Sequence, residues 1–99
     1  MTTTLPGNPE QHAVITVIGQ DRVGIIAAVS DLLARSGVNI NDISQTIMQE
    51  VFTMIMMVDI THMTPDFHAL ADQLEEIGTR LGLTIRIQHI GIFNAMHRI

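Results

Sequence analysis

The segment from Ala13 to Asn41 constrains the fold more than any other part of the sequence. An apolar run, AVITVIG, reaches a short polar turn of Gln20, Asp21 and Arg22. Gly24 follows, then an apolar-striped stretch that closes at Gly37 before VNIND. The pattern is a strand that delivers the chain into the N-terminus of a helix. The first amides of a helix have no partner within it, so such a turn is a natural seat for a carboxylate or phosphate. Gly24 has no side chain to hold a ligand away from the backbone. The segment points to binding of a small anion or an amino acid before it points to catalysis.

Periodicity extends the reading along the chain. His12 to Ile18 is a strand, with Val14, Thr16 and Ile18 on one face and Ala13, Ile15 and Val17 on the other. Both faces are largely apolar, which predicts a central strand covered on both sides. Arg22 to Ser36 reads as a helix with Asp21 as its N-cap and Gly37 just past its end. Ile25, Ile26, Val29, Leu32 and Leu33 form its apolar stripe. Val38 to Gln49 is a long strand whose apolar parity switches between Ile40 and Ile43, which predicts a bulge near Asn41–Asp42. A tight hairpin at Gln49–Glu50 leads into the strand Val51 to Ile60. There Met54, Met56, Val58 and Ile60 share one face, and Ile55 and Met57 the other.

Thr64-Pro65-Asp66 signals a second helix: a capping threonine, proline at the first position, an acid in the first turn. Phe67, Leu70, Ala71, Leu74, Ile77, Gly78 and Leu81 follow helical spacing, and Gly82 ends it. Leu83 to Ile90 is the last strand, with Leu83, Ile85 and Ile87 opposite Thr84, Arg86 and Gln88. Residues 1–11 read as a loose polar tail, 12–91 as the domain, and 92–99 as a docked turn carrying Ile92, Phe93, Met96 and Ile99. The order β-α-β-β-α-β predicts an α+β, ferredoxin-like sandwich, a four-stranded antiparallel sheet with both helices on one face. The other face then needs a cover, and a second copy of the chain is the simplest one.

Charge and composition narrow the partners. The 99 residues carry five basic and ten acidic groups, a net charge of −5. An acidic chain with no basic run and only three aromatic residues is a poor nucleic-acid or anionic-membrane binder. No apolar segment approaches the ~18 residues of a membrane span. There is no cysteine, hence no disulfide framework or thiolate metal site. No secretion signal opens the chain, so a cytoplasmic location is expected. Hydrophobic residues make up 46 %, more than one small core can hide, which predicts an oligomer.

The stretch VIGQDRVGIIAAVSDLLARSGVNINDIS, from Val17 to Ser44, resembles the ACT domain, a regulatory amino-acid-binding module. A D-x-x-G turn, an apolar helix and G-V-N-I entering the second strand carry the likeness, which extends more weakly from His12 to about Ile90. The whole sequence, including the closing IFNAMHRI, also resembles stand-alone bacterial proteins built from a single ACT domain. The resemblance implies a dimer or larger assembly, with ligand held where ACT units meet. It places Asp21, Arg22, Val23, Gly24 and Ile25 of the turn, with Asn39 and Ile40 of the second strand, at the ligand. No catalytic or DNA-binding segment accompanies these elements, so the output is expected through a separate protein.

Each candidate has a plainer reading. Gly24, with the amides of Val23 and Ile25, could hold a carboxylate, or could mark helix–strand packing too close for a side chain. Asp21 could pair with a ligand ammonium or simply cap the helix. Asn39 could both donate to and accept from an amino acid, or could be a turn residue after Gly37. Arg22 could draw an anion or be solvated.

The five histidines, among them His62, His68, His89 and His97, show no metal-ligand spacing. Met54 and Met57 form an M-x-x-M, but on a strand this spacing points them to opposite faces. Ser30, Ser36 and Ser44 lack a nucleophile elbow. The expected function is a non-enzymatic small-molecule sensor, its ligand an amino acid, acting as a homodimer and needing no cofactor. The alternative is an assembly module that docks a partner enzyme without binding a metabolite.

Overall fold

The computed structural model describes residues 11–91. Six elements follow the expected order: β1 (His12–Gln20), α1 (Ile25–Arg35), β2 (Asn39–Met48), β3 (Val51–Asp59), α2 (Phe67–Leu81) and β4 (Leu83–His89). The strands form one antiparallel sheet in the order β2-β3-β1-β4. The docked turn expected at 92–99, and all of the expected tail except Gln11, lie outside the described residues.

Strand parity sets the layers. Ala13, Ile15 and Val17 of β1 are fully buried, as are Met54, Met56 and Val58 of β3. They meet Val29 and Leu33 of α1 and Leu70 and Leu74 of α2 in one core. Both helices therefore cover the same sheet face. β1 is central, as its two apolar faces predict, but its second face is covered unevenly: Val14 is 1 % exposed and Ile18 50 %. Met54 and Met57 fall on opposite faces, since Met54 opposes core residue Val17 and Met57 opposes Val14.

The bulge lies where the parity switch puts it. Ile40 opposes Val58 and Asp42 opposes Met57, so Asn41 is the extra residue. Gln49 and Glu50 both have positive φ, 50° and 71°, and turn the chain in two residues between Met48 and Val51. Positive φ at both central positions fits a type I′ turn, whose backbone twist matches the strands it joins.

Both helix starts differ from the sequence reading. α1 begins at Ile25, not Arg22, because Gly24 at φ 96° is left-handed and cannot belong to a right-handed helix. Gly24 is the N-cap, so Asp21 does not cap α1. Asp21 instead ends the sheet: its amide donates to the Glu50 carbonyl at 2.8 Å. The apolar stripe is also narrower than expected, since Ile26 is 39 % exposed. In α2 the cap is Asp66, not Thr64, and its carboxylate accepts from the Ala69 amide at 2.7 Å.

The helix ends follow their glycines. Val38 donates to Leu33 at 2.9 Å and Gly37 to Ala34 at 3.3 Å, the paired bonds of a Schellman closure. Gly82 at φ 74° closes α2 and starts β4 one residue later.

Candidate functional site

The β1–α1 turn leaves a helix N-terminus open. Ala28 donates to the Gly24 carbonyl at 3.0 Å, the bond that begins the α1 ladder. The amides of Ile25, Ile26 and Ala27 precede that bond, and no side chain caps them. They carry the partial positive charge of the helix end. The Ile25 side chain is 2 % exposed and belongs to the core, so only its amide can face a ligand.

Gly24 is a glycine for its conformation and not for lack of room. A Cβ built there meets nothing within 4 Å, which removes the close-packing reading. The space over the turn is open. Asp21, Arg22 and Val23 are exposed, Val23 to 96 %.

An open cleft of about 390 Å³ adjoins the turn, lined by Gln20, Asp21, Arg22, Val23, Leu81 and Gly82. Leu81, Gly82 and Gln20 were not among the sequence candidates. Their signal lay in the topology. β4 pairs with β1 so that Gly19 faces Leu83, which carries the α2–β4 junction to the turn.

Asn39 and Ile40 are elsewhere. Gln20 opposes Val51 at one end of β3, whereas Asn39 opposes Asp59 at the other. At ~3.3 Å per residue the two ends are roughly 26 Å apart. One copy of the chain therefore does not bring the turn and the start of β2 together. Asn39 is exposed, while Ile40 is half-buried and packs against the core.

Asp59, across from Asn39, is held below the usual carboxylate range. The main cause is the hydrogen bond from the Thr61 side chain, followed by that from the Thr61 amide at 2.8 Å. His12 and His62 lower it further. Asp59 thus sets an ionised carboxylate beside the Asn39 amide, a combination suited to an ammonium group. Among the described residues no group of three or more His, Asp or Glu side chains could hold a metal ion. No helix among them is long and apolar enough to cross a membrane.

The ACT domain family model matches residues 11–88. The chain belongs to the ACT domain family. A UPF0237 protein of Clostridium acetobutylicum is 55 % identical over 87 residues, covering 88 % of this chain and 98 % of the relative. An ACT domain protein from Streptococcus pneumoniae has the same fold at a TM-score of 0.72 and 44 % identity, over 87 % of this chain and 97 % of that one. The regulatory subunit of aspartate kinase from Thermus thermophilus shares the fold at a TM-score of 0.62 and 25 % identity, over 80 % of this chain and 51 % of that one. ACT domains are small-molecule-binding regulatory modules.

Proposed function

We propose that this ACT domain is a non-enzymatic sensor of an amino acid or a similar small zwitterion, acting as a homodimer. The observation that carries the reading is the uncapped start of α1 beside the cleft at Gln20–Val23. A ligand carboxylate would accept from the amides of Ile25, Ile26 and Ala27, which have no other acceptor in the helix. The exposed Asp21 carboxylate stands by for the ammonium, since capping does not engage it.

The second half of the site would come from another copy. β2 is an edge strand, and all its residues but Ile40 are exposed, including Ile43 and Ile47. An apolar edge strand invites pairing. Antiparallel pairing of two β2 edges would bring Asn39 of a second copy to the end of the sheet that carries the turn. Ligand bridging the two copies would favour the paired state through its differential affinity.

The test is a thermal-shift screen of the twenty amino acids and common anionic metabolites, with calorimetry on any hit. A ligand at ~100 times its Kd adds about 2.7 kcal/mol, several degrees for so small a domain. Gly24→Val should fill the space over the turn and lower affinity at least tenfold. Its positive φ also costs about 1 kcal/mol in the fold. Asp21→Ala, which loses no helix cap, supplies the strain-free control and should also weaken binding. A flat screen, or hits bound equally well by both variants, would overturn the reading.

A further inference from the structure

Hydrogen-bonded pairs alternate along an antiparallel ladder, so one bond fixes which residues face which neighbour. The Asp21 amide donates to the Glu50 carbonyl, one step beyond the Gln20–Val51 pair. Odd-numbered residues of β1 therefore bond to β3, and even-numbered residues bond to β4. Val14, Thr16 and Ile18 oppose Gln88, Arg86 and Thr84, so these three supply the β4 backbone groups that face β1. The amides and carbonyls of Leu83, Ile85 and Ile87 point outward, where β4 is the last strand of the sheet. In keeping with this, the Leu83 carbonyl oxygen and the Ile85 amide nitrogen both lie toward Gly78 of α2, 2.6 and 3.5 Å from where a Cβ on Gly78 would be.

Proteins protect a sheet edge with a bulge, a proline or a very short strand. The β2 edge has its bulge at Asn41. The seven residues of β4, LTIRIQH, contain no proline and pair with β1 without a register break from Leu83 to His89. A groove of about 320 Å³ lies beside this regular edge, between Glu75 and Thr79 of α2 and Leu83–Arg86 of β4. Glu75 and Arg86 are exposed, and neither belongs to the two ion pairs among the described residues. Asp72, three residues before Glu75, shares its helix face.

We propose that the β4 edge receives an extended segment of a partner protein as a fifth strand. Backbone bonds to Ile85 and Ile87 hold the segment, and the groove reads its side chains. Opposed residues on neighbouring strands point to the same side of a sheet. The residue opposite Ile85 therefore faces α2, where Glu75 selects a lysine or arginine. The residue opposite Arg86 faces the other side, where a glutamate or aspartate matches it. A second copy is a poor occupant, because pairing β4 with β4 sets the acidic walls of two α2 helices against each other. The edge is separate from the β1–α1 turn and from β2, so the inference goes beyond the ligand-binding reading.

NMR titration with the capped peptide Thr-Val-Lys-Glu-Val-Thr, at about 0.15 M salt, tests it. The peptide has no net charge, so the acidic protein does not attract it indiscriminately. Saturable shifts should centre on the Ile85 and Ile87 amides. N-methylation of a peptide amide that faces β4 should abolish binding, and methylation of the next amide should not. Glu75→Lys, at an exposed helical position, should weaken binding by about tenfold, and a peptide with glutamate in place of the lysine should recover it. No saturable binding, shifts centred elsewhere, or wild-type affinity in Glu75→Lys would overturn the proposal. So would Ile85 and Ile87 amides already protected from hydrogen exchange without peptide, since the edge would then be taken by a second copy. Glu75→Lys should keep any amino-acid-dependent thermal shift, which separates this test from that of the ligand site.

Discussion

Gly24 and Gly78 are glycines for opposite physical reasons. Gly24 sits at φ 96° in open space, whereas a Cβ on Gly78 would lie 2.6 Å from the Leu83 carbonyl oxygen. In an ordinary exposed helix, Gly→Ala gains up to about 1 kcal/mol. Here the obstacle is β4 backbone, which cannot rotate away. Gly78→Ala should therefore cost about 1–3 kcal/mol by urea denaturation, as overpacking does. The sequence marks both positions, but type alone does not separate a conformational glycine from a contact glycine. Asp59 offers a second residue-scale test. Its folded pKa is depressed, so it adds stability above its unfolded pKa, and that stability is lost as pH falls through the folded value. Thr61→Val removes the largest cause, so the Asp59 carboxyl should titrate at higher pH by NMR. An unmoved titration would shift the cause to the Thr61 amide.

At the scale of elements, interiors were more legible than ends. Strand parities, the bulge at Asn41 and the Gln49–Glu50 hairpin follow from apolar spacing, because one buried face fixes register. Helix starts do not, because several cappers compete within a few residues. Thr64 and Asp66 both suit a cap, and only Asp66 meets the Ala69 amide. Asp66→Ala should cost about 1 kcal/mol of stability, and Thr64→Ala much less. Equal losses would return the cap to Thr64. At α1 the Asp21–Glu50 bond ties the chain to the sheet one residue past β1, a turn follows at Val23 and Gly24, and left-handed Gly24 keeps right-handed geometry from starting before Ile25. Asp21→Ala should leave the melting temperature nearly unchanged, where a lost cap would lower it by several degrees.

For the whole molecule, the β-α-β-β-α-β order was readable because each element carries its own period and stop signal. The division of the candidate site was readable in principle. A helix between parallel strands returns the chain to the end where it began, so the end of β1 and the start of β2 must lie apart. The turn at Asp21–Gly24 and the strand start at Asn39–Ile40 obey that rule, about 26 Å from each other. A shared ligand thus requires two copies. The most direct measurement is calorimetry on a mixture of Gly24→Val and Asn39→Ala chains after subunit exchange, titrated with the amino acid giving the largest thermal shift. Each variant alone should bind weakly. The mixture should regain wild-type affinity at a fraction of its sites, those pairing an intact turn with an intact Asn39 of the other copy. A mixture that exchanges subunits yet binds no better than its components would contradict a site shared between copies.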